Sequence, residues 1–348
     1  GLDFPEDALY RSEQELATVI KVSETVAQSL KREASARIYP WKKKHVHVCD
    51  LLETSSTPDC ITLGDATLDH VVGGGVFTKA ITEVVGQSSS GKTQLLMQLL
   101  LTVQLPRSLG GLDAAALYVH TEGRLPTNRL HQLINSYSQK YSGIIDKEKA
   151  WNSIYTLRLN STNAQHTVLG YQLPVMLHNT PNIRLVVIDS IASLYRGEHF
   201  ELDDGGRLMK ASEVCDLGIR LKKLADQHNV AVVVANQVTD DFSAGNNADQ
   251  PLTDIDKRHW RWAHLPMFTS QTEKYEIDLD TFSESLSKQA TLGLTWANTV
   301  NCRIRMARSS ALDQITRRIL CLEFSPYTSR KGCEVQIDDN GMHVKEKR

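Results

Sequence analysis

The sequence predicts an α/β fold: a mostly parallel, twisted sheet covered by helices, with a short helical appendage in front of it. Three observations predict it. From residue 61 onward, short apolar runs alternate with amphipathic stretches of helical period. The run IRLVVIDS, 183–190, is apolar almost throughout, as befits a strand buried on both faces. A third run, ending at Val85, enters a loop of glycine and serines from which an amphipathic helix emerges.

A chain of 348 residues has room for one large α/β domain, or one such domain with a small appendage. Its 41% apolar and 23% charged residues are ordinary for a soluble globular protein. The net charge of −2 leaves any nucleic-acid contact to a local patch. The cysteines at 49, 60, 215, 302, 321 and 333 form no C-x-x-C pair, which argues against zinc and for a reducing compartment. No apolar stretch approaches the roughly 18 residues that span a bilayer. The opening GLDFPEDALYRSEQ is acidic and lacks an apolar signal core, so a cytosolic or nuclear location and no membrane contact are expected.

Residues 11–37 read as one helix, with Leu16, Val19, Ile20, Val26 and Leu30 near one face. One helix is too little for an independent core, so 1–38 is expected to be a short helical segment. The basic run and Ser/Thr/Pro cluster of YPWKKKHVHVCDLLETSSTPDC mark a linker over 39–60, with a short strand expected at 45–52. Lys42–Lys44 read first as simple solvation and more weakly as a nuclear-import signal. The core is expected over 61–348. AITEVVG is its first strand, followed by the glycine loop and a helix to about 104; AALYVHTEG is the second, followed by the helix TNRLHQLINSYSQKY. WNSIYTLRL is the third, with a helix near 164–179. IRLVVIDS is the fourth, GRLMKASEVCDLGIRLKKLADQHN a long amphipathic helix, and VAVVVANQV the fifth strand. Residues 239–290 break this rhythm, being polar and turn-rich, which marks a functional or disordered segment. TWANTVNCRIRMA, RRILCLEF and CEVQIDDNGM read as closing strands and a hairpin, antiparallel on the sheet edge. Arg303, Arg305 and Arg308 alternate there, which reads first as a solvated strand face and second as a basic contact surface.

The glycine loop carries the firmest chemistry. Gly86, Gln87, Ser88, Ser89, Ser90, Gly91, Lys92 and Thr93 fit G-x-x-x-x-G-K-[ST] without a mismatch, and Gln94 follows in the first helical turn. The glycines let the backbone turn tightly and approach phosphate oxygens. The loop amides and the positive end of the helix form an anion cradle. Lys92 is placed to reach β and γ phosphates, and the Thr93 hydroxyl suits Mg²⁺. Asp189 ends the buried fourth strand, where a carboxylate can hold Mg²⁺ through water; its competing reading is a helix cap. Glu122 follows the second strand, where it can polarise a water for in-line attack or be a solvated turn residue. Gln237 ends the fifth strand, where an amide can sense the γ phosphate and signal to the segment beyond, or merely satisfy a turn.

ITEVVGQSSSGKTQL, LYVHTEG…RL, LVVIDSIASLYR and VVVANQV stand in the order and at the spacing of the RecA-like recombinase family of eukaryotes, which this chain resembles over about 60–345. LGLTWANTV is similar to its paralogues that act as filament mediators. The resemblance implies a RecA-like P-loop NTPase core, ATP with Mg²⁺ bound between neighbouring subunits, DNA binding, and a role in homologous recombination and break repair in the nucleus. It makes Glu122 the catalytic glutamate and Gln237 the nucleotide-sensing glutamine, with Lys92 beside them. It makes Tyr195-Arg196 the start of a first DNA-binding loop that also holds Arg207, 239–290 the second such loop, and FSPYTSRKG, 324–332, a cap over a neighbour's ATP. The chain departs from the family in a short N-terminal segment, a linker without Phe-x-x-Ala, an acidic first loop (YRGEHFELDDGGRL) and an insertion in the second. These departures imply a mediator that forms a heterodimer with a second recombinase paralogue and acts on the main recombinase filament, with weak DNA-dependent ATP hydrolysis. A structural adaptor that does not turn ATP over and an autonomous DNA-stimulated ATPase are the alternatives.

Within the second loop, KRHWRWAH interleaves Lys257, Arg258 and Arg261 with Trp260 and Trp262. Cations there can neutralise phosphates while indoles stack on single-stranded DNA bases. The same composition reads equally as a protein-docking patch.

Overall fold

The structure is a computed structural model that describes residues 9, 11–38, 57–121, 123–193, 195, 204–239, 262, 265–271, 273–309 and 316–346, with only the backbone of 204–210. The strand expected at 45–52 and the Lys42–Lys44 run lie outside the described residues. The chain divides into two compact units, residues 1–57 and 58–348.

In the first unit, two helices stand where one was expected. Helix α1 (Glu13–Ile20) opens on a capping box, in which Ser12 Oγ accepts from Glu15 N at 3.2 Å and Glu15 accepts from Ser12 N at 2.9 Å. It ends at Lys21, whose φ of 54° is left-handed, and α2 (Glu24–Ile38) starts afresh. The break divides the apolar face. Leu16, Ala17 and Ala27 are buried together against Ile20 and Val22, while Val19, Val26 and Leu30 remain exposed.

The second unit is built on a sheet of eleven strands among the described residues. In chain order these are β1 (Ala80–Val85), β2 (Ala115–His120), β3 (Ile154–Arg158), β4 (Ile183–Asp189), β5 (Ala231–Asn236), β6 (Met267–Phe268), β7 (Lys274–Tyr275), β8 (Cys302–Arg308), β9 (Arg318–Phe324), β10 (Gly332–Asp338) and β11 (Gly341–Val344). The spatial order is β7-β6-β10-β9-β8-β1-β5-β4-β2-β3, with β11 paired to β10. From β8 to β3 every neighbouring pair is parallel. Strands β8 through β11 join by antiparallel pairs, as expected, but β8 does not stand on the sheet edge. Strand β8 lies inside the sheet, parallel to β1, and the TWAN stretch before it is helical.

Alternate residues of the central strands feed two cores. Leu185, Val187 and Val233 join one, with Leu95–Leu101 of helix α3 (Lys92–Thr102) and Leu130 of α4 (Thr127–Lys140). Val186, Ile188, Val232 and Val234 join the other, with Leu217, Leu221 and Leu224 of α5 (Asp204–Gln227). Helix α3 is buried from Leu95 to Thr102 without interruption, so it lies between sheet and outer helices rather than showing a polar face to water. The expected helix at 164–179 is present in three pieces: an α-helical turn Thr162–Thr167, a π-helical turn Val168–Gln172 and Leu173–Asn179. Among the described residues, no helix is long and apolar enough to cross a membrane.

Candidate functional site

Strand β1 delivers the glycine loop to the carboxyl edge of the parallel sheet, the edge at which open α/β sheets bind ligands. Gly86 has no room for a side chain: a Cβ there would lie 2.3 Å from the Met306 carbonyl oxygen and 2.7 Å from Ser90 Oγ. Gly91 has a φ of +109° and is the N-cap of α3, with no side chain capping that end. The first amides of α3 are thereby left to a ligand, in the region of the helix that favours negative charge. Lys92 Nζ donates to the carbonyls of Gly86 at 2.7 Å and Gln87 at 3.0 Å, which holds the ammonium over the loop.

Thr93 Oγ1 donates to Asp189 Oδ2 at 2.9 Å, across 96 positions of sequence. The same oxygen accepts from Tyr118 OH at 2.8 Å, and burial together with Asp189 pushes the Tyr118 hydroxyl far above its ordinary range. Strands β2 and β4, paired in parallel with His120 opposite Asp189, fix this group. Thr121 continues the arrangement, its N–H donating to Asp189 O at 3.0 Å and its Oγ1 to Ser190 O at 2.8 Å.

These residues border a cleft of about 600 Å³ lined by Ser88, Ser89, Gly91, Lys92, Thr93, Gln94, Asp189 and Gln237. Two further cations line it that the sequence reading missed. Arg129 of α4 donates from Nε to Gln94 Oε1 at 2.8 Å. Arg318 of β9 lies against the loop, donating to Ser89 O at 3.4 Å, with its guanidinium pKa lowered by burial and by Arg308 opposite. No local motif marks either residue; both arrive by long-range packing.

The residues present fit a magnesium-bound nucleoside triphosphate. The volume lies within the roughly 300–1,000 Å³ of small-molecule sites. Three cations face the mouth, Gly86 is packed so closely against Met306 and Ser90 that only a glycine fits, and Ser90 Oγ is buried without a hydrogen-bond partner among the described residues. A hydroxyl beside a carboxylate is a hard-oxygen donor set suited to Mg²⁺.

Other expected site residues fall differently. Glu122, Arg196, Lys257, Arg258, Trp260 and Arg261 lie outside the described residues; Arg207 is described only as backbone, in α5. Trp262 corrects the stacking reading: it is 4% exposed and packs among Met267, Phe282 and Ile319, with Arg330 over its ring at 4.8 Å. Its indole therefore has no face open to a base. Tyr195 is also buried, its hydroxyl 3.3 Å from His166 Nε2. Arg303 and Arg305 correct the solvated-face reading. Both are buried and ion-paired, Arg303 with Glu83 and Glu323, Arg305 with Glu323 at 2.8 Å.

The family model for Rad51 matches residues 57–256, more than half of the chain. The chain belongs to the Rad51 family. Its Rad51-family relatives include the DNA repair protein rhp57 of Schizosaccharomyces pombe, 31% identical over 303 residues that cover 82% of this chain and 80% of that protein. The DNA repair protein RAD57 of Saccharomyces cerevisiae is 33% identical over 243 residues, covering 67% of this chain and 50% of that protein. The DNA repair protein XRCC3 homolog of Arabidopsis thaliana is 28% identical over 314 residues, covering 84% of this chain and 95% of that protein. The RecA-like fold and the place among recombinase paralogues implied by the sequence motifs both stand.

Proposed function

We propose that this chain is a recombination mediator of the nucleus, acting in homologous recombination and double-strand break repair. It binds ATP with Mg²⁺, contacts single-stranded DNA weakly, and stabilises or seeds the main recombinase filament through a heterodimer with a second recombinase paralogue. Residues 61–348 are the ATPase core in this reading, 39–60 a linker and 1–38 a helical segment. The observation that carries it is the Thr93–Asp189 pair beside Lys92, at a glycine loop in a Rad51-family sheet.

The loop amides and Lys92 bind the phosphates, Thr93 and Asp189 hold the metal, and Arg129 and Arg318 balance charge at the mouth. Bound Mg²⁺ supplies neutralisation of the charge that develops on the phosphate oxygens. Glu122 orients water and Gln237 senses the γ phosphate, which gives a slow, DNA-dependent hydrolysis when a neighbour completes the site.

The test is recovery of the full chain from cells, before and after DNA damage, as wild type and as Lys92→Ala. A second recombinase-like chain at equal stoichiometry, lost or weakened in the variant, is the expected result. Recovery of no such chain contradicts the mediator reading. Pairing and repair that survive in Lys92→Ala replace it with the adaptor, and strong DNA stimulation of the chain alone replaces it with the autonomous ATPase.

A further inference from the structure

We infer that Asn236 is a positioning residue for Gln237, and that with Glu83 and Thr291 it forms a clamp, buried at Asn236 and Glu83, joining the nucleotide cleft to both ends of the 240–288 segment. This rests on the nucleotide reading of the cleft and adds the residues that would make a movement of Gln237 felt elsewhere.

Asn236 ends β5 and is fully buried. Its carboxamide spends all of its hydrogen-bonding capacity. Nδ2 donates to Glu83 Oε1 at 2.6 Å and to the Thr291 carbonyl at 2.9 Å. Oδ1 accepts from Gln237 N–H at 2.8 Å and from the Thr291 hydroxyl. The carboxylate below fixes which way the amide points, because a flipped amide would set its oxygen against Glu83. Glu83, fully buried on β1, is in turn held by Trp296 Nε1 at 2.9 Å and by Arg303. The clamp is therefore anchored on β1, β8 and helix Gly293–Ala297, all outside the segment it grips.

The chain leaves the cleft at Gln237 and comes back against that residue at Thr291, whose N–H donates to Gln237 O at 2.9 Å. Between them, Val238–Thr239 and Gln289–Ala290 pair antiparallel, Val238 opposite Ala290 and Thr239 opposite Gln289. Gln237 lines the cleft, so a displacement of its backbone pulls on a joint that closes the whole excursion from 240 to 288. Without Asn236 and Thr291 the joint would lose the buried amide that ties Gln237 to Thr291 and would absorb more of such a displacement. A buried polar group with every partner supplied is stiff, and removing one partner is costly enough to read out.

The test is hydrogen exchange of the full chain, followed by mass spectrometry, with and without Mg²⁺ and a non-hydrolysable ATP analogue. In the wild type the analogue slows exchange over 237–239 and 289–292 by about fivefold, the weight of one net hydrogen bond. Thr291→Val removes one hydroxyl of a residue outside the cleft; it keeps analogue affinity within about twofold and loses the slowing, and Thr291→Ser restores it. Asn236→Asp sets a carboxylate against Glu83 and loses the slowing likewise. Full slowing in Thr291→Val, or a wild type that binds the analogue with no slowing at these peptides, overturns the clamp and leaves the nucleotide reading standing. A wild type that binds no analogue overturns the nucleotide reading, and the clamp with it.

Discussion

Gly86 shows how closely the cleft is built. The Met306 carbonyl of β8 and the Ser90 hydroxyl both stand within 2.7 Å of where a methyl group would sit. Gly86→Ala must push the loop away from β8, and its affinity for an ATP analogue is expected to fall at least about tenfold, roughly 1.4 kcal/mol, with far-ultraviolet circular dichroism unchanged. Equal affinity in titration calorimetry would show that the loop does not approach phosphate in the way its crowding implies. At this scale the sequence was most informative. A motif of eight contiguous residues fixes its own geometry, and Asp189 stood out as a carboxylate closing an apolar strand, which the structure sets beside Thr93. Arg129 and Arg318 were illegible for the opposite reason, since their neighbourhood is made by residues 35 and 229 positions away.

Among the elements, β8 holds the main surprise. Cys302-Arg303-Ile304-Arg305-Met306 alternates as a half-solvated edge strand does, yet all five residues are buried. Glu83 on β1 and Glu323 on β9 pair with the two arginines, and this long-range supply of carboxylates turns an apparently wet face into an interior one. Such a network is fully satisfied, so breaking one member leaves a charge buried without its partner. Glu83→Gln is expected to lose about 3–5 kcal/mol in urea unfolding at neutral pH. A loss below about 1 kcal/mol would mean that water reaches the pair and that the strand is as open as its pattern suggests. The first unit teaches the complementary lesson. A helical apolar period runs across residues 11–37, but a single left-handed residue at Lys21 redirects the chain and leaves Val19, Val26 and Leu30 outside the small core.

At the scale of the whole molecule, pH dependence separates two half-buried carboxylates whose pKa values shift in opposite directions. Asp59 joins the start of the core to Arg107 at 2.5 Å and Arg184 at 2.6 Å, and the Arg107 hydrogen bond leads in holding its pKa below the usual range. Its stabilisation is present above the unfolded pKa and is lost as pH falls through the folded one. Asp69 behaves in reverse. Burial pushes it up to about 6, despite hydrogen bonds from Thr62 and Leu63. Its contribution is fully present below the unfolded pKa of about 4 and declines as pH rises through 6, by roughly 3 kcal/mol if the shift is fully expressed. The decline between pH 4 and 6 is expected to vanish in Asp69→Asn, as measured by unfolding across that range. A decline of equal size in the variant would place its source elsewhere. The fold class, the order of the parallel strands' sequence segments and the glycine loop between β1 and α3 were all legible beforehand. The neighbour relations across the sheet were not, because a strand's sequence records how buried it is and not which strand lies beside it.

The central claim is that Lys92, Thr93 and Asp189 grip a triphosphate through its metal. The most direct measurement is calorimetric titration of the full chain with a non-hydrolysable ATP analogue, in Mg²⁺ and in EDTA, for the wild type and Thr93→Val. Binding by the wild type that weakens at least about tenfold in EDTA, and a variant whose affinity no longer responds to Mg²⁺, is the predicted result. No binding by the wild type, or an affinity that ignores Mg²⁺ in both proteins, would contradict it.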